Sequence, residues 1–229
     1  MKQAMQSQPT PSSSNGKTLL PDPEPRWPVI VAALATSALY LSVPERLTPG
    51  PSWLLPLIVV VLLIPTVITN RIGLTEVNYV FGFIVSSVLT GALAWSLGML
   101  IAGLPAKSDN PIQLLRAASA LWICNILVFA CWYWRLDAGG PHQRDLRHAH
   151  YEGAFLFPQM TLPEHSKILT KLWKPGFVDY LFLAFNTSTA FSPTDVPVLS
   201  RWAKGLMMVQ SSISLGTLAI LAARAVNIL

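Results

Sequence analysis

Six apolar blocks, separated by proline and charge, constrain this chain more than any motif it carries. They run from Trp27 to about Val43, Trp53 to Thr69, Val77 to Leu104, Ile112 to Trp134, Phe177 to Phe191 and Val198 to Leu229. A bilayer's hydrocarbon slab is about 30 Å thick and takes about 20 apolar residues in a helix, whereas a soluble helix alternates apolar and polar faces. Of 229 residues, 52% are hydrophobic and only 12% are charged, and the apolar ones are not interleaved. The expectation is an all-α integral membrane protein, a bundle of about six transmembrane helices. Pro44, Pro49, Pro105, Pro111, Pro175 and Pro197 fall at block ends, where a helix should stop or begin.

The fifth block is the exception. Sixteen residues from Phe177 to Ser192 make about 24 Å of helix, short of the slab. Two readings stay open: a crossing accommodated by tilt and bilayer thinning, or a re-entrant segment. Residues 1–26, rich in Gln, Ser and Pro with no apolar period, are expected to be a disordered N-terminal tail. The apolar run begins too late for a cleaved signal peptide. Residues 27–229 then form the transmembrane helical domain, with 135–175 as its one long polar loop.

Charge gives the orientation, because short cytoplasmic loops collect Lys and Arg. If all six blocks cross, eleven of the sixteen basic residues share a side with the N-terminus and the 135–175 loop. Both are therefore expected in the cytoplasm. If the fifth block re-enters as a potassium-channel pore helix does, with the last helix ending inside, only four basic residues remain inside. Inverting that arrangement keeps the basic loop inside but opens the polar corner after Phe191 toward the cytoplasm. The count favours a sixth crossing.

Polar residues within apolar blocks are the candidate functional positions, since they are expensive in hydrocarbon and face other helices or a wet cavity. The last block carries Gln210, Ser214, Thr217 and Arg224 on one stripe. The fifth offers Asp179, Asn186, Thr187 and Thr189, and the corner beyond it Asp195. These two sets are expected to meet, either as interhelical hydrogen bonds or as a polar path for an ion or small solute. Asp179 stands four residues after Pro175, where a carboxylate suits a helix start. The third block places Gly82, Ser86, Thr90, Ala94, Gly98 and Ala102 every fourth residue, the spacing of a helix-packing seam.

The loop carries His148, His150 and Glu152, residue types that ligate zinc or nickel. No HExxH or CxxC spacing accompanies them, so a solvated loop facing lipid headgroups is the default and no cofactor is expected. Cys124 and Cys131, seven apart on one helix, stand about 10 Å from each other, beyond disulfide reach. The net charge of +5 lies in loops beside apolar spans, which points to anionic headgroups and excludes nucleic acid as the partner. Membrane lipids and a homo-oligomer are the expected partners. There is no phosphate-binding glycine loop and no nucleophile elbow, and no enzymatic activity is expected.

Two resemblances follow from particular stretches. FNTSTAFSPTD, Phe185 to Asp195, resembles the potassium-channel pore module in layout but lacks the glycines that aim carbonyls at the ion. More extensively, WYWRLDAGGP, RHAHYEGAFLFPQM, FVDYLFLAFNTSTAFSPTDVPVLSR and LAARAVNIL resemble, over about residues 112–229, a domain-of-unknown-function family of small bacterial inner-membrane proteins. That resemblance implies Asp179, Tyr180, Phe185, Asp195, Arg201 and Asn227 as family positions and the bacterial inner membrane as location. Pro193-Thr194 before Asp195 departs from the family pattern. The resemblance implies no activity. Two functions are expected: conduction or transport along the polar faces of the last two segments, or a non-conducting scaffold or sensor whose basic loop meets a partner or anionic lipid.

Overall fold

The computed structural model describes residues 23–103, 111–147, 153–162, 173–189 and 196–226, and these are helical with no strand among them. The helices are α1 (Trp27–Tyr40), α2 (Leu54–Arg71), α3 (Thr75–Ala102), α4 (Pro111–Leu136), the single turn α5 (Pro141–Asp145), α6 (Phe177–Thr189) and α7 (Arg201–Val226). Four of them, α2, α3, α4 and α7, are long and apolar enough to cross a membrane. Helix α1 spans 14 residues and α6 only 13. The expected all-helical class is therefore seen, with four elements rather than six having a spanning length.

Local chemistry sets the turns. Pro28 occupies the first turn of α1, where its missing N–H is not needed. Pro65 interrupts the ladder of α2, and Thr66 and Thr69 bond back to the carbonyls of Leu62 (2.8 Å) and Pro65 (2.7 Å). Asn78 of α3 reaches across to the Thr66 carbonyl at 2.6 Å. Between the two helices Gly73 adopts φ +76°, a left-handed value that closes the Leu74 amide onto the Thr69 carbonyl and folds α3 back antiparallel to α2.

Helix α4 is the centre of the bundle. Two thirds of its apolar window is buried (67%), against 22% for α2 and for α7. It packs against α1, α3, α6 and α7. At its C-terminus Ala138, Gly139 and Gly140 all take positive φ (52°, 80° and 92°), which ends the helix and turns the chain into α5. A side chain at Gly140 would stand 2.9 Å from the Arg135 carbonyl. We call this the loop end of the molecule. The start of α1 is there too, because Arg26 and Glu24 pair with Asp145 and Arg144.

Helices α1 to α4 alternate in direction between the loop end and a far end. Six successive crossings would then need α6 to rise and α7 to descend. The contacts instead make α6 and α7 parallel. Ala184 meets Gln210, Thr187 meets Ser211, and Ser188 meets Ser214, so both numbers rise together. Residues just before α7 sit at the loop end, where Leu156 and Leu199 amides bond the carbonyls of Pro197 and Ala154 in a short antiparallel bridge. Phe155 packs on Tyr180 at the start of α6 and on Trp202 at the start of α7. Both helices thus leave the same end.

Candidate functional site

Inside the bundle, α4, α6 and α7 share one polar cluster. Gln210, fully buried, donates through Nε2 to the Ala184 carbonyl (2.7 Å) and to Ser188 Oγ (2.8 Å), and its Oε1 accepts the Tyr133 hydroxyl. Asn125 Nδ2 points at the Gln210 carbonyl (3.2 Å) and Ser188 Oγ (3.4 Å). Ser214 donates to the Ser188 carbonyl and accepts the Trp122 indole N–H at 3.0 Å. Low dielectric makes each bond stronger and each orphan costlier, which is why such a cluster is held shut. Asn125 Oδ1 is its one atom without a partner among the described residues.

The predicted stripe divides at this cluster. Gln210 and Ser214 join it, Thr187 bonds the Leu183 carbonyl (2.8 Å), and Thr217 bonds back to the Ile213 (3.1 Å) and Ser214 (2.9 Å) carbonyls of its own helix. Asn186 is half-buried and Thr189 donates to its carbonyl at 3.1 Å. Asp179 stands at the first turn of α6, its Oδ2 accepting the Gly176 amide at 2.8 Å, the reach-back of a capping box. Asp195, His148, His150, Glu152 and Asn227, and the side chain of Arg224, lie outside the described residues. Arg201 is exposed, and Phe185 lines an apolar groove of about 460 Å³ between α4 and α6.

The seam on α3 also divides. Gly82 and Ser86 are buried and Thr90 is half-buried, bonded by the Trp132 indole at 2.8 Å. Ala94, Gly98 and Ala102 are exposed, and nothing stands within 4 Å of a side chain built at Gly98. The cause is geometric: at about 100° per residue, a strict four-residue spacing drifts about 40° each step and roughly 200° over the whole row. The buried face follows Val85, Leu89, Leu93, Ser96 and Leu100 instead. The row is a packing seam at the loop end only.

A second cluster, missed by the sequence reading, closes the loop end. Asp137 is fully buried, with Oδ1 accepting the Ala154 amide (2.5 Å) and Oδ2 the Tyr180 hydroxyl (2.6 Å). Arg144, 2% exposed, donates through Nη1 to the carbonyls of Trp134 in the last turn of α4 (2.7 Å) and of Asp137 just beyond it (3.0 Å), and through Nη2 to Glu24 at 2.9 Å. Its guanidinium lies over the Trp134 and Tyr180 rings. Arg26 pairs with Asp145, and Lys174 Nζ donates to the Arg144 carbonyl at 3.0 Å. Burial lowers the Arg26 and Lys174 pKa values, against the raising pull of Asp145 on both.

These groups had faint signals. Asn125 is an amide in the middle of an apolar block, and Asp137 precedes A-G-G-P, a helix stop. Glu24 and Arg144 meet across 120 residues, which no local pattern encodes. Among the described residues no group of three or more His, Cys, Asp or Glu side chains could hold a metal ion. An apolar cavity of about 280 Å³ lies at the far end, lined by Tyr40, Pro49, Pro51, Leu55, Val88 and Ala92 among others. Comparison with protein-family models, curated proteins and solved structures finds no match to this chain.

Proposed function

We propose that the chain is a five-crossing membrane protein with one re-entrant helix, acting as a non-conducting scaffold or sensor that presents its loop end to a partner. In this reading α1, α2, α3, α4 and α7 cross, while α6 enters from the loop side and returns. The parallel run of α6 and α7 supports it. So does chain length: α6 rises about 20 Å, and the seven peptide steps from Thr189 to Val196 reach about 24 Å when extended. Charge agrees as well. Arg201 and Lys204 move to the loop side and Arg224 moves away from it, raising its share from eleven to twelve of the sixteen basic residues. By the positive-inside bias that side is the cytoplasm, and the bacterial inner membrane is the location that the resemblance implies.

The observation that carries the non-conducting reading is the closed cluster at Gln210. Both ends of its amide are used, and its neighbours Ser188, Ser214 and Tyr133 bond one another or nearby carbonyls. A water-filled path would leave such groups to solvent. The loop end, by contrast, is a preformed polar platform. Purified chain in proteoliposomes tests this: under a membrane potential, flux of K⁺, Na⁺, H⁺ and Cl⁻ is expected at the level of empty vesicles. Flux that rises with protein and changes on Gln210→Ala would overturn it.

Conduction is the second reading, and Asn186 and Thr189 favour it. They are half-buried at the tip of α6, off the closed cluster. In a homo-oligomer around α7 they would face an axis rather than lipid.

A further inference from the structure

The loop-end cluster balances all of its charges but one. Arg26 pairs with Asp145 and Arg144 with Glu24, Lys174 sits on carbonyls, and Asp137 is engaged by Ala154 and Tyr180. Arg135, in the last turn of α4, is 7% exposed and makes no hydrogen bond or ion pair among the described residues; its Nε is fully enclosed and unsatisfied. It does lie over the Trp134 indole, 5.9 Å from ring centroid to guanidinium carbon. That same ring already lies under Arg26 and Arg144. A desolvated guanidinium is stable only with an anion or acceptors, and an indole face shared by three cations supplies neither.

The fold makes room for this group deliberately. Gly82 of α3 lies against the guanidinium so closely that a side-chain Cβ would come within 1.9 Å of Nη1. The guanidinium therefore lies in a notch at the small-residue end of α3. A crevice runs from it between the first turn of α1 (Val29, Ile30) and α2 (Leu63, Thr66), its enclosed volume about 20 Å³. That is space for about one water and far too little for a headgroup. Whatever neutralises the cation must sit at the crevice mouth, where α1, α2 and α4 meet at the loop end.

We propose that Arg135 is an anion site for a phosphate group, held at the mouth of this crevice, and that the phosphate is that of an anionic lipid on the loop-side leaflet. Guanidinium suits phosphate because its planar fork matches two oxygens at once. Basic pockets between helices on the cytoplasmic side are a known place for such headgroups. The proposal rests on the membrane placement given above, and it assigns the lipid contact to a residue inside the bundle rather than to the basic loop.

The test is thermal unfolding of the purified full chain in nanodiscs of phosphatidylcholine, with phosphatidylglycerol added stepwise or with inorganic phosphate titrated into neutral discs. Wild type is expected to gain about 5 °C at saturating phosphatidylglycerol, as a ligand well above its Kd gives. Arg135→Gln should abolish the gain, and Arg71→Gln, an exposed arginine on the same side, should keep it. If Arg135→Gln does not fold, Gly82→Ala carries the test, because it fills the notch without removing the charge and should weaken the response about tenfold. A gain from inorganic phosphate, lost in the same variants, would support the site while assigning it to a free anion. An equal response in all variants, or none in wild type, overturns the proposal. Failure of the membrane placement itself would show separately, in the sidedness of cysteine labelling.

Discussion

At the scale of single residues, the closed cluster is a claim about hydrogen bonds in a dry place. Gln210→Leu keeps the volume but leaves the Tyr133 hydroxyl without its Gln210 acceptor and removes the side-chain donor from the Ala184 carbonyl and Ser188 Oγ. Interhelical hydrogen bonds in membranes average only about 0.6 kcal/mol, but a buried group left unsatisfied costs about 1 to 3 kcal/mol. The second effect dominates here because the Tyr133 hydroxyl loses that acceptor in a dry place while the bonds to Ala184 and Ser188 are lost as well. The variant should lose about 2 to 3 kcal/mol and unfold about 4 to 10 °C lower in detergent, measured by calorimetry or by dye binding. A shift under 1 °C would mean that water already reaches the site. Gln210 and Ser214 were legible from the sequence as a stripe; Asn125 and Tyr133 were not. An apolar block hides one amide among many methyl groups, and a tyrosine gives no hint of where its hydroxyl points.

At the scale of elements, what matters is the direction of α6 and α7. Their existence and approximate bounds were legible from hydropathy, and so was the shortness of the fifth block. Their relative direction was not, because a hydrophobic run carries no arrow, and the choice rests on a corner whose path local sequence does not dictate. Labelling settles it. With Cys124 and Cys131, both buried, replaced by alanine, single cysteines at Leu146, Leu199 and Trp53 give three exposed reporters. An impermeant maleimide should reach positions 146 and 199 from the same face of the membrane and position 53 from the opposite face. Labelling of 146 and 199 from opposite faces would restore a sixth crossing. The seam on α3 teaches the same point differently: spacing by four describes a neighbour pair well and a long face badly, since the helix turns under it.

At the scale of the whole molecule, the loop end holds the parts together. Six segments converge there: residues 23–26, the end of α4, α5, the 153–157 stretch and the starts of α6 and α7. Arg144 joins Glu24, the end of α4 and Tyr180 of α6, and its pair with Glu24 is largely buried (side-chain exposures 1% and 10%). Breaking one partner of so buried a pair is far more damaging than losing a surface ion pair, about 3 kcal/mol or more. Glu24→Gln should therefore lower the unfolding midpoint by about 6 °C or more, and increase protease access at the 135–147 segment. Unchanged stability would mean that the first residues before α1 are not docked. Composition and charge made the membrane class legible at this scale, but the platform was not, because its pairs span up to 121 residues.

That separation also sets an order of events during synthesis. Glu24 and Arg26 leave the ribosome some 120 residues ahead of Arg144 and Asp145, a wait on the order of ten seconds at ordinary elongation rates. Until then the foot of the first helix has no counterpart to grip, and three further helices must be threaded before it does. The nascent chain is thus pinned at its beginning by something made past its middle, and a stalled or shortened product lacking the Arg144 turn would leave that foot loose, however well its greasy rods had inserted.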